Sequence, residues 1–545
     1  MKMSLVDRIF LFCCVCIIAA ATGCAPVDQW HVFQAEQEPH LSIESDEGEI
    51  STVEIGIGQE KNISLQQSDF FVPEDLSLEE AVMLALQHNG DLRVQQITPV
   101  ITGAFEQIER GAYDAELFAE GRYSRNNDDA AVFSVNERDE SDRAVSLSAG
   151  IRQELPSGTS LEVSVNQLTR ERDSGWEEDE ARLQLSMTQS LLRGFGSTVN
   201  MAKVRIAEAD TLASIEELKG FINSLLADVE IAYWRYVLAV EEIRIFEESL
   251  AVARKQREEI ELSIEVGLLP EFEAAAARAE EALRIQALVT AEGILEENRL
   301  HLLNLISPGS ERPDGHFLRA VSEPRLDPKE ISDLEDRLQL ALKFRPDLGE
   351  ARLRLRRNSL ETIMTRNGLL PRLDFFITLG KTGYGDSFPD SFRTLDSDSY
   401  ELSAGLQLSR FLDNRAARAR NLASFAARRQ AEEAVANLRR IVRLDVRLAV
   451  NEVERQRRLI DASRATRRYQ EQTSVAEKEK FDVGSSTALL VTQAQRDLLR
   501  TQIAEAEAII NYRIALVRLY LAEGSLLMRR GVQLDEGALA ALRMQ

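Results

Sequence analysis

The residues of this chain that could do chemistry are few, and their spacing does not suit catalysis. The five histidines, His31, His40, His88, His301 and His316, stand too far apart for any two to share a helix turn, so no pair has metal-ligand spacing. HExxH, GxSxG and the phosphate-cradling GxxxxGK[ST] patterns do not occur. His88, beside Asn89-Gly90, reads as a helix-end residue rather than a general base. All four cysteines lie within the first 24 residues: Cys13, Cys14 and Cys16 inside an apolar run, and Cys24 behind Ala21-Thr22-Gly23. Nothing beyond Cys24 can form a disulfide. The chemistry left open is covalent modification of one thiol. We read the chain as no enzyme, with no catalytic residue, no metal site and no cofactor.

The context of that thiol is specific. Lys2 and Arg8 precede the apolar "IFLFCCVCIIAAA", and small residues follow up to Cys24, which is the plan of a secretory signal over 1–23. The segment Ala21-Thr22-Gly23-Cys24 resembles a bacterial lipoprotein cleavage box, with Ala where Leu is commoner. The resemblance implies that Cys24 becomes the lipidated first residue. Each acyl chain then contributes about 0.8 kcal/mol per buried methylene, and several chains anchor stably. Ala25 rather than Asp follows the cysteine, which by the same resemblance implies sorting to the outer membrane.

Composition narrows the partners. With 65 basic and 90 acidic residues the formal charge is −25, so the clustered Lys and Arg that bind a phosphate backbone are not expected, and no nucleic acid partner is. No later segment has the roughly 18 uncharged apolar residues of a spanning helix. A mature chain that crosses a bilayer must therefore do so with strands.

The elements that position everything else repeat. "LSLEEAVMLALQHNGDLRV" (76–94) pairs with "LEDRLQLALKFRPDLGEARL" (334–353), setting Ala85 on Ala341 and Asp91 on Asp347 at an offset of 256. "LSMTQSLLRG" (185–194) sits on "LQLSRFLDN" (406–414) at about 221. Between these the period changes to alternation: "AVSLSAGI" places Val145, Leu147, Ala149 and Ile151 on one face with Ser146, Ser148 and Gly150 on the other. "LEVSVNQ" (161–167), "LQLSMTQ" (183–189), "LDFFITLG" (373–380) and "ELSAGLQLS" (401–409) alternate likewise, and "AELFAEGRY" (115–123) does so weakly. Pro156-Ser157-Gly158, and Pro389 with Gly383 and Gly385, read as the turns between them. Runs of about 8 to 11 residues suit tilted membrane strands, although alternation alone leaves a soluble sandwich open.

A very long helix follows each strand block, over 197–266 and about 415–483. Ile222, Leu226, Val229, Tyr233, Tyr236, Val240 and Ile243 recur at spacings of four and three, as do Val435, Leu438, Val442, Val446, Ala449 and Val453, which is a coiled-coil seam. Seventy residues span about 105 Å, so each helix bridges a distance. "EVGLLPEFEA" and "FDVGSSTALLVTQ" interrupt these helices, with Val266-Gly267 standing 217 residues before Val483-Gly484. Gly484 can end a helix in the left-handed conformation and Ser485, Ser486 or Thr487 can cap the next. Gly267 acts likewise, with Pro270 suited to the following first turn. Both breaks are read as helical hairpin tips.

From about 76 to 530 the chain resembles the TolC family of trimeric outer-membrane channel-tunnels. The residues that carry the resemblance are the tandem halves, "QSLLRGFG" (189–196), "AYWRYVLA" (232–239), "VGLL" and "DVGSSTALLV" at the tips, and "NYRIALVRLYLAEGSL" (511–526). It implies a mixed fold, a membrane β-barrel plus a long coiled-coil α-barrel, with two tandem structural repeats per chain and a homotrimer. The expected organisation is a signal over 1–23, an acidic arm over 24–72, a first repeat over 73–310 with strands about 113–192 and a hairpin 197–306, and a linker over 311–330. A second repeat over 331–527 follows, with strands about 371–411 and a hairpin 415–524, then a tail over 528–545.

The resemblance also implies function: a passive exit duct in outer-membrane lipid, serving an inner-membrane pump of RND, ABC or MFS type through a periplasmic adaptor. Val266, Gly267, Leu268, Val483, Gly484, Ser485 and Ser486 are then the candidates for adaptor docking. Some members narrow the periplasmic entrance with acidic side chains just after the second tip, where this chain has Leu490 and Gln493; Glu271, Glu273 and Asp497 are the acidic candidates instead. Members commonly give four strands per subunit and twelve per trimer. An extra hairpin around 144–169 could raise this to eighteen or stay outside the bilayer, and we expect an insertion that is not a full pair of spanning strands. A duct for type I protein secretion and a lipid-anchored coiled-coil scaffold are the alternatives. The scaffold would leave the duplicated strands without purpose.

Overall fold

A computed structural model describes residues 53–55, 75–128, 140–172, 177–267, 269–306, 319–322, 333–396 and 399–534. The signal segment, Cys24, most of the acidic arm and Leu268 lie outside the described residues. From Leu78 the chain forms α1 (Leu78–His88), α2 (Gly90–Gly111), β1 (Glu116–Asp128), β2 (Glu140–Leu155), β3 (Thr159–Arg172), β4 (Glu177–Ser190), α3 (Ala202–Glu265) and α4 (Phe272–Ile306). The order then recurs with two strands: α5 (Leu334–Phe344), α6 (Pro346–Asn367), β5 (Arg372–Gly385), β6 (Tyr400–Ser409), α7 (Arg415–Asp482) and α8 (Ala488–Glu523).

Local chemistry sets the helix ends. Ser77 caps α1 by accepting from the Glu80 amide, and the Glu80 carboxylate accepts from the Ser77 amide at 2.9 Å, a reciprocal capping box. Asn89 then ends α1 and caps α2, accepting from the Leu92 amide at 2.9 Å. At the equivalent break Pro346 occupies the first turn of α6, where its missing amide hydrogen costs nothing. His88 is the last residue of α1, and burial, followed by the Arg93 guanidinium, lowers its pKa.

The 64 residues of α3 and the 68 of α7 would reach about 96 and about 102 Å at 1.5 Å per residue. They are packed by their partners: α3 against α4, α2 and α6, and α7 against α8 and α6. The largest core surrounds Tyr233, with Leu76, Leu218, Ile222, Leu226, Leu302 and Ile306. The Tyr233 hydroxyl donates to the Leu76 carbonyl at 3.0 Å and accepts from the Ser322 amide at 3.1 Å. The ring is thereby buried without an unpaired polar end.

The seam of α3 departs from the sequence reading past Tyr236. Ile222, Leu226, Val229, Tyr233 and Tyr236 are buried, but Val240 is 41 % exposed and Ile243 half-buried, while Ala239 and Ile245 turn inward. A strict heptad drifts by about 20° per repeat around a straight helix, so its face rotates away from the partner. In α7, Val435, Val442, Val446 and Val453 are buried as the spacing predicts, with Leu438 and Ala449 packed beside them.

All six long strands join one antiparallel sheet in the order β1-β2-β3-β4-β5-β6. Two expectations fail here. The strands run 10 to 16 residues rather than 8 to 11, because charged pairs such as Arg143 and Glu171, 3.5 Å apart, extend the pairing past the apolar stretch. The extra hairpin is also a full pair of strands: β2 and β3 are registered along their whole length from Asp142↔Arg172 to Leu155↔Thr159, and each pairs with its outer neighbour as well. Their alternation is in phase with the flanking strands, so nothing excludes them from the sheet.

Other segments read as connections are structured. Asp75–Leu76 pairs in parallel with Arg319–Ala320, within the expected linker, and Val53–Ile55 with Val532–Leu534, joining the expected arm to the expected tail. Gly383 and Gly385 lie inside β5 rather than in a turn. They are small because the short helix Phe388–Arg393 folds back on them; a Cβ on Gly383 would stand 2.1 Å from the Ser391 carbonyl oxygen.

Candidate functional site

Two regions carry arrangements that a folded core alone does not require: the ends of the long hairpins and the two faces of the sheet. At the first tip α3 stops after Glu265, and Gly267 takes φ +79° with its amide bonded to the Ile264 carbonyl at 2.9 Å. At the second, Gly484 takes φ +75°, its amide reaches the Phe481 carbonyl at 2.9 Å and the Ser485 amide the Lys480 carbonyl at 2.8 Å. A side chain is disfavoured at such angles, which explains both glycines. Thr487, of the three candidates, caps α8.

Each turn leaves apolar side chains in solvent. Val266 and Phe272 flank the first, and Val483, Leu489 and Leu490 flank the second, with Val483 79 % exposed. The serines of the second tip are used locally: Ser485 Oγ donates to the Lys480 carbonyl and Ser486 Oγ to Glu477 Oε2, both at 3.0 Å. Of the entrance candidates, Glu271 and Gln493 are exposed, Glu273 sits half-buried in the first turn of α4, Leu490 is exposed, and Asp497 lies 3.6 Å from Arg500. The structure brings none of these together into an acidic cluster.

The charged contact between the hairpins was not legible in the sequence. Glu280 on α4 is buried, 2.7 Å from the Arg284 guanidinium one turn on and 2.9 Å from Arg496 Nε on α8. The Glu280 and Arg284 spacing is a common helix-surface pair, and only the fold adds Arg496 from 216 residues away.

Glu477 links tip geometry to pH. Its hydrogen bond from Lys480, then that from Ser486, hold its carboxyl below the usual glutamate range. A depressed carboxylate contributes above its unfolded-state pKa and loses that contribution as pH falls through the lower folded-state value. Amide exchange over 484–488, corrected for intrinsic rate, should therefore show protection at about pH 7 that falls by about pH 3, and Glu477→Gln should abolish the difference. Equal protection in the wild type at both values would show that Glu477 does not hold the turn.

The sheet separates polarity by face. One face carries Leu117, Tyr123, Leu147, Ile151, Val163, Val165, Leu183, Leu185, Ile377, Leu379, Leu402, Leu406 and Leu408, with apolar pairs such as Leu117↔Ile151, Ile151↔Val163, Val163↔Leu185, Leu185↔Leu379 and Leu379↔Leu402 running across the sheet, while Leu147 stands opposite Gln167 and Leu183 opposite Lys381. Many are exposed, Leu117 at 80 % and Leu406 at 65 %. The opposite face carries Ser146, Ser148, Ser164, Asn166, Gln184, Ser186, Thr378, Ser403 and Gln407, with the ion pairs Arg152 with Glu116 at 2.7 Å and Arg182 with Glu401 at 3.1 Å. A soluble sandwich would bury the apolar face, whereas a barrel wall in lipid shows it to the tails and keeps the polar face for water. No described helix is long and apolar enough to cross a membrane.

Comparison with known proteins agrees with this geometry. The family model described as outer membrane efflux protein matches residues 337–525. Among solved structures, the Campylobacter jejuni CmeC outer membrane channel is 17% identical, covers 86% of this chain and 88% of its own, and superposes with a TM-score of 0.59. The outer membrane protein VceC of Vibrio cholerae is 15% identical over 82% of this chain and 96% of its own, TM-score 0.60. The open state of the Neisseria gonorrhoeae MtrE outer membrane channel is 18% identical over 82% and 89%, TM-score 0.59. A search of curated proteins gives no match. Residues 337–525 thus match the outer membrane efflux protein family model, and the chain has the fold of the TolC-family outer-membrane channels.

Proposed function

We propose that this protein is the trimeric outer-membrane channel-tunnel of a tripartite efflux system, a passive exit duct coupled to an inner-membrane pump through a periplasmic adaptor. The observation that carries the reading is the six-stranded sheet, apolar on one face, polar on the other and, among the described residues, unpaired at both edges, continuous with two hairpins of about 100 Å. Edge strands in lipid would leave backbone groups unpaired, and several copies remove those edges by closing a barrel. The element order occurs twice because two tandem repeats build the subunit. Cys24 is lipidated and holds the mature N-terminus at the outer membrane.

The helix tips form the periplasmic entrance. Val266, Gly267, Leu268, Val483, Gly484, Ser485 and Ser486 dock the adaptor, which covers the apolar side chains that the turns leave exposed. Glu271, Glu273, Leu490, Gln493 and Asp497 line the approach. Arg496 and Glu280 tie the hairpins together behind it.

The test is single-channel conductance of the detergent-purified protein in a planar bilayer, with its oligomeric mass measured in parallel. A conducting trimer is expected, with larger current after Arg496→Ala, which frees one hairpin from the other. A non-conducting monomer or dimer, soluble once Cys24 is replaced, would refute the channel and leave an anchored scaffold.

A further inference from the structure

The apolar face of the sheet changes character at one end. Past Leu183 and Leu379 on that face, β5 places Lys381, Gly383 and Gly385, β4 places Ala181 and Asp179, and β3 places Gln167 and Thr169. This is the end away from the long helices, because β5 runs toward it from α6 and β4 leaves it for α3. In the channel read above it is the outer end of the wall, level with the outer leaflet.

A short helix lies on that end. The chain turns back after β5 as Phe388–Arg393, and its backbone presses on the two glycines: a Cβ on Gly385 would stand 2.5 Å from the Ser391 amide nitrogen. Successive Cβ atoms of a strand point to opposite faces, so this contact fixes the helix on the apolar side of the sheet. Ser391 is fully buried and its Oγ donates to Gln167 Oε1 at 3.3 Å. Gln167 Nε2 donates to Asp179 Oδ1 at 3.2 Å, and the Thr169 hydroxyl donates to the same oxygen. Thr394 Oγ1 ties the returning chain to the Tyr384 carbonyl at 2.7 Å. The Gln167 amide and the Asp179 carboxylate are thereby buried and paired beneath the helix rather than left against lipid.

The helix presents an aromatic side chain in their place. Phe388 is 51 % exposed and packs on Phe392 with ring centroids 5.1 Å apart. On the outermost strands the same face ends in exposed aromatics, Tyr123 on β1 and Tyr400 on β6. Membrane barrels carry such girdles at the boundaries of the lipid. β4 and β5 have only Ala181, Gly383 and Gly385 at this end, and Phe388 fills the gap. Lys381, two residues below Gly383, is exposed between Leu183 and Tyr400 and has no ion-pair partner among the described residues. Asp179 is occupied beneath the helix, and Asp390 accepts from Ser387 Oγ at 2.7 Å and lies 3.6 Å from Arg393. A lysine rising from apolar surroundings extends its ammonium to the headgroup level, where lipid phosphates lie.

We propose that the outer rim of the sheet is a binding site for an anionic, phosphate-bearing lipid of the outer leaflet, with Phe388 at the boundary of tails and headgroups and Lys381 on the phosphate. The proposal rests on the exit-duct reading above and adds the class of lipid that the rim takes and the residues that take it. The glycines and the Ser391 contact position the helix, and Lys381 supplies the charge.

Spin-label accessibility in nanodiscs of equal phosphatidylcholine and phosphatidylglycerol tests the placement. Labels on Phe388→Cys and on Leu185→Cys should each collide more with oxygen than with a water-soluble nickel complex, and a label on Tyr384→Cys, on the polar face, should do the reverse. Lipid retained after extraction into detergent reads the charge. The wild type and Lys381→Arg should hold phosphatidylglycerol over phosphatidylcholine about fivefold more strongly than Lys381→Gln, the weight of one cation at an acidic lipid surface. Equal retention by Lys381→Gln, at unchanged oligomeric mass, overturns the lipid site. A Phe388 label in water beside a Leu185 label in lipid overturns the placement of the helix and leaves the exit duct standing. A Leu185 label in water overturns the exit duct itself.

Discussion

Leu185→Arg should leave almost no folded oligomer in the outer-membrane fraction, whereas Gln184→Arg, one residue away, should be tolerated. Leu185 lies in the middle of β4 between Val163 on β3 and Leu379 on β5, all on the apolar face. A guanidinium placed there would stand in the hydrocarbon, at a cost of about 2–4 kcal/mol near the midplane, and a trimer bears it three times. Gln184 stands between Ser164 and Gly380 on the polar face, where an arginine adds to a surface that already holds Arg152 and Arg182. The measurement is the amount of denaturant-resistant oligomer recovered from outer membranes for each variant. Equal recovery would mean that the apolar face does not meet lipid, and the barrel reading would fall with it.

The second large effect is expected far from the sheet. Glu230 on α3 is fully buried and accepts from Arg530 Nε at 2.7 Å and Nη2 at 2.8 Å. Arg530 follows the short helix Leu526–Arg529, and the same stretch is fastened by the Leu527 amide to Asn223 Oδ1 at 3.4 Å and by Arg529 and Arg337 to buried Glu523. Glu230→Ala removes the carboxylate and strands a guanidinium largely out of water, a loss of about 3–5 kcal/mol. Glu230→Leu combined with Arg530→Leu should recover most of it, because desolvating two charges offsets much of what their attraction returns. Denaturant melts of both variants decide the matter. A single variant as stable as the wild type would show that the C-terminal stretch is not held by this pair.

The sequence by itself determined the element types and their order, because both periods are local: apolar spacing of three and four marks α3 and α7, and alternation marks β2 to β6. It also placed the tips, since Gly267 and Gly484 carry the left-handed turn in their own backbone. The offsets of 256 and 221 were readable for the same reason.

What the tertiary structure decided is whatever depends on partners far along the chain. Alternation in 144–169 is the same whether the hairpin joins the sheet or stands beside it; only pairing with β1 and β4 on either side settles that it joins. Val240 and Ile243 continue the heptad of α3 on paper, yet the helix rotates them away from the core and brings Ala239 and Ile245 in. Glu280 resembles any surface carboxylate until Arg496 arrives from the other hairpin. Residues 528–534 read as part of a tail, and become part of the fold because Glu230 and Val53–Ile55 reach them. Hydrogen bonds and ion pairs between distant segments carry no periodic signature, so they leave no trace in a window of sequence, whereas secondary structure is written in every turn.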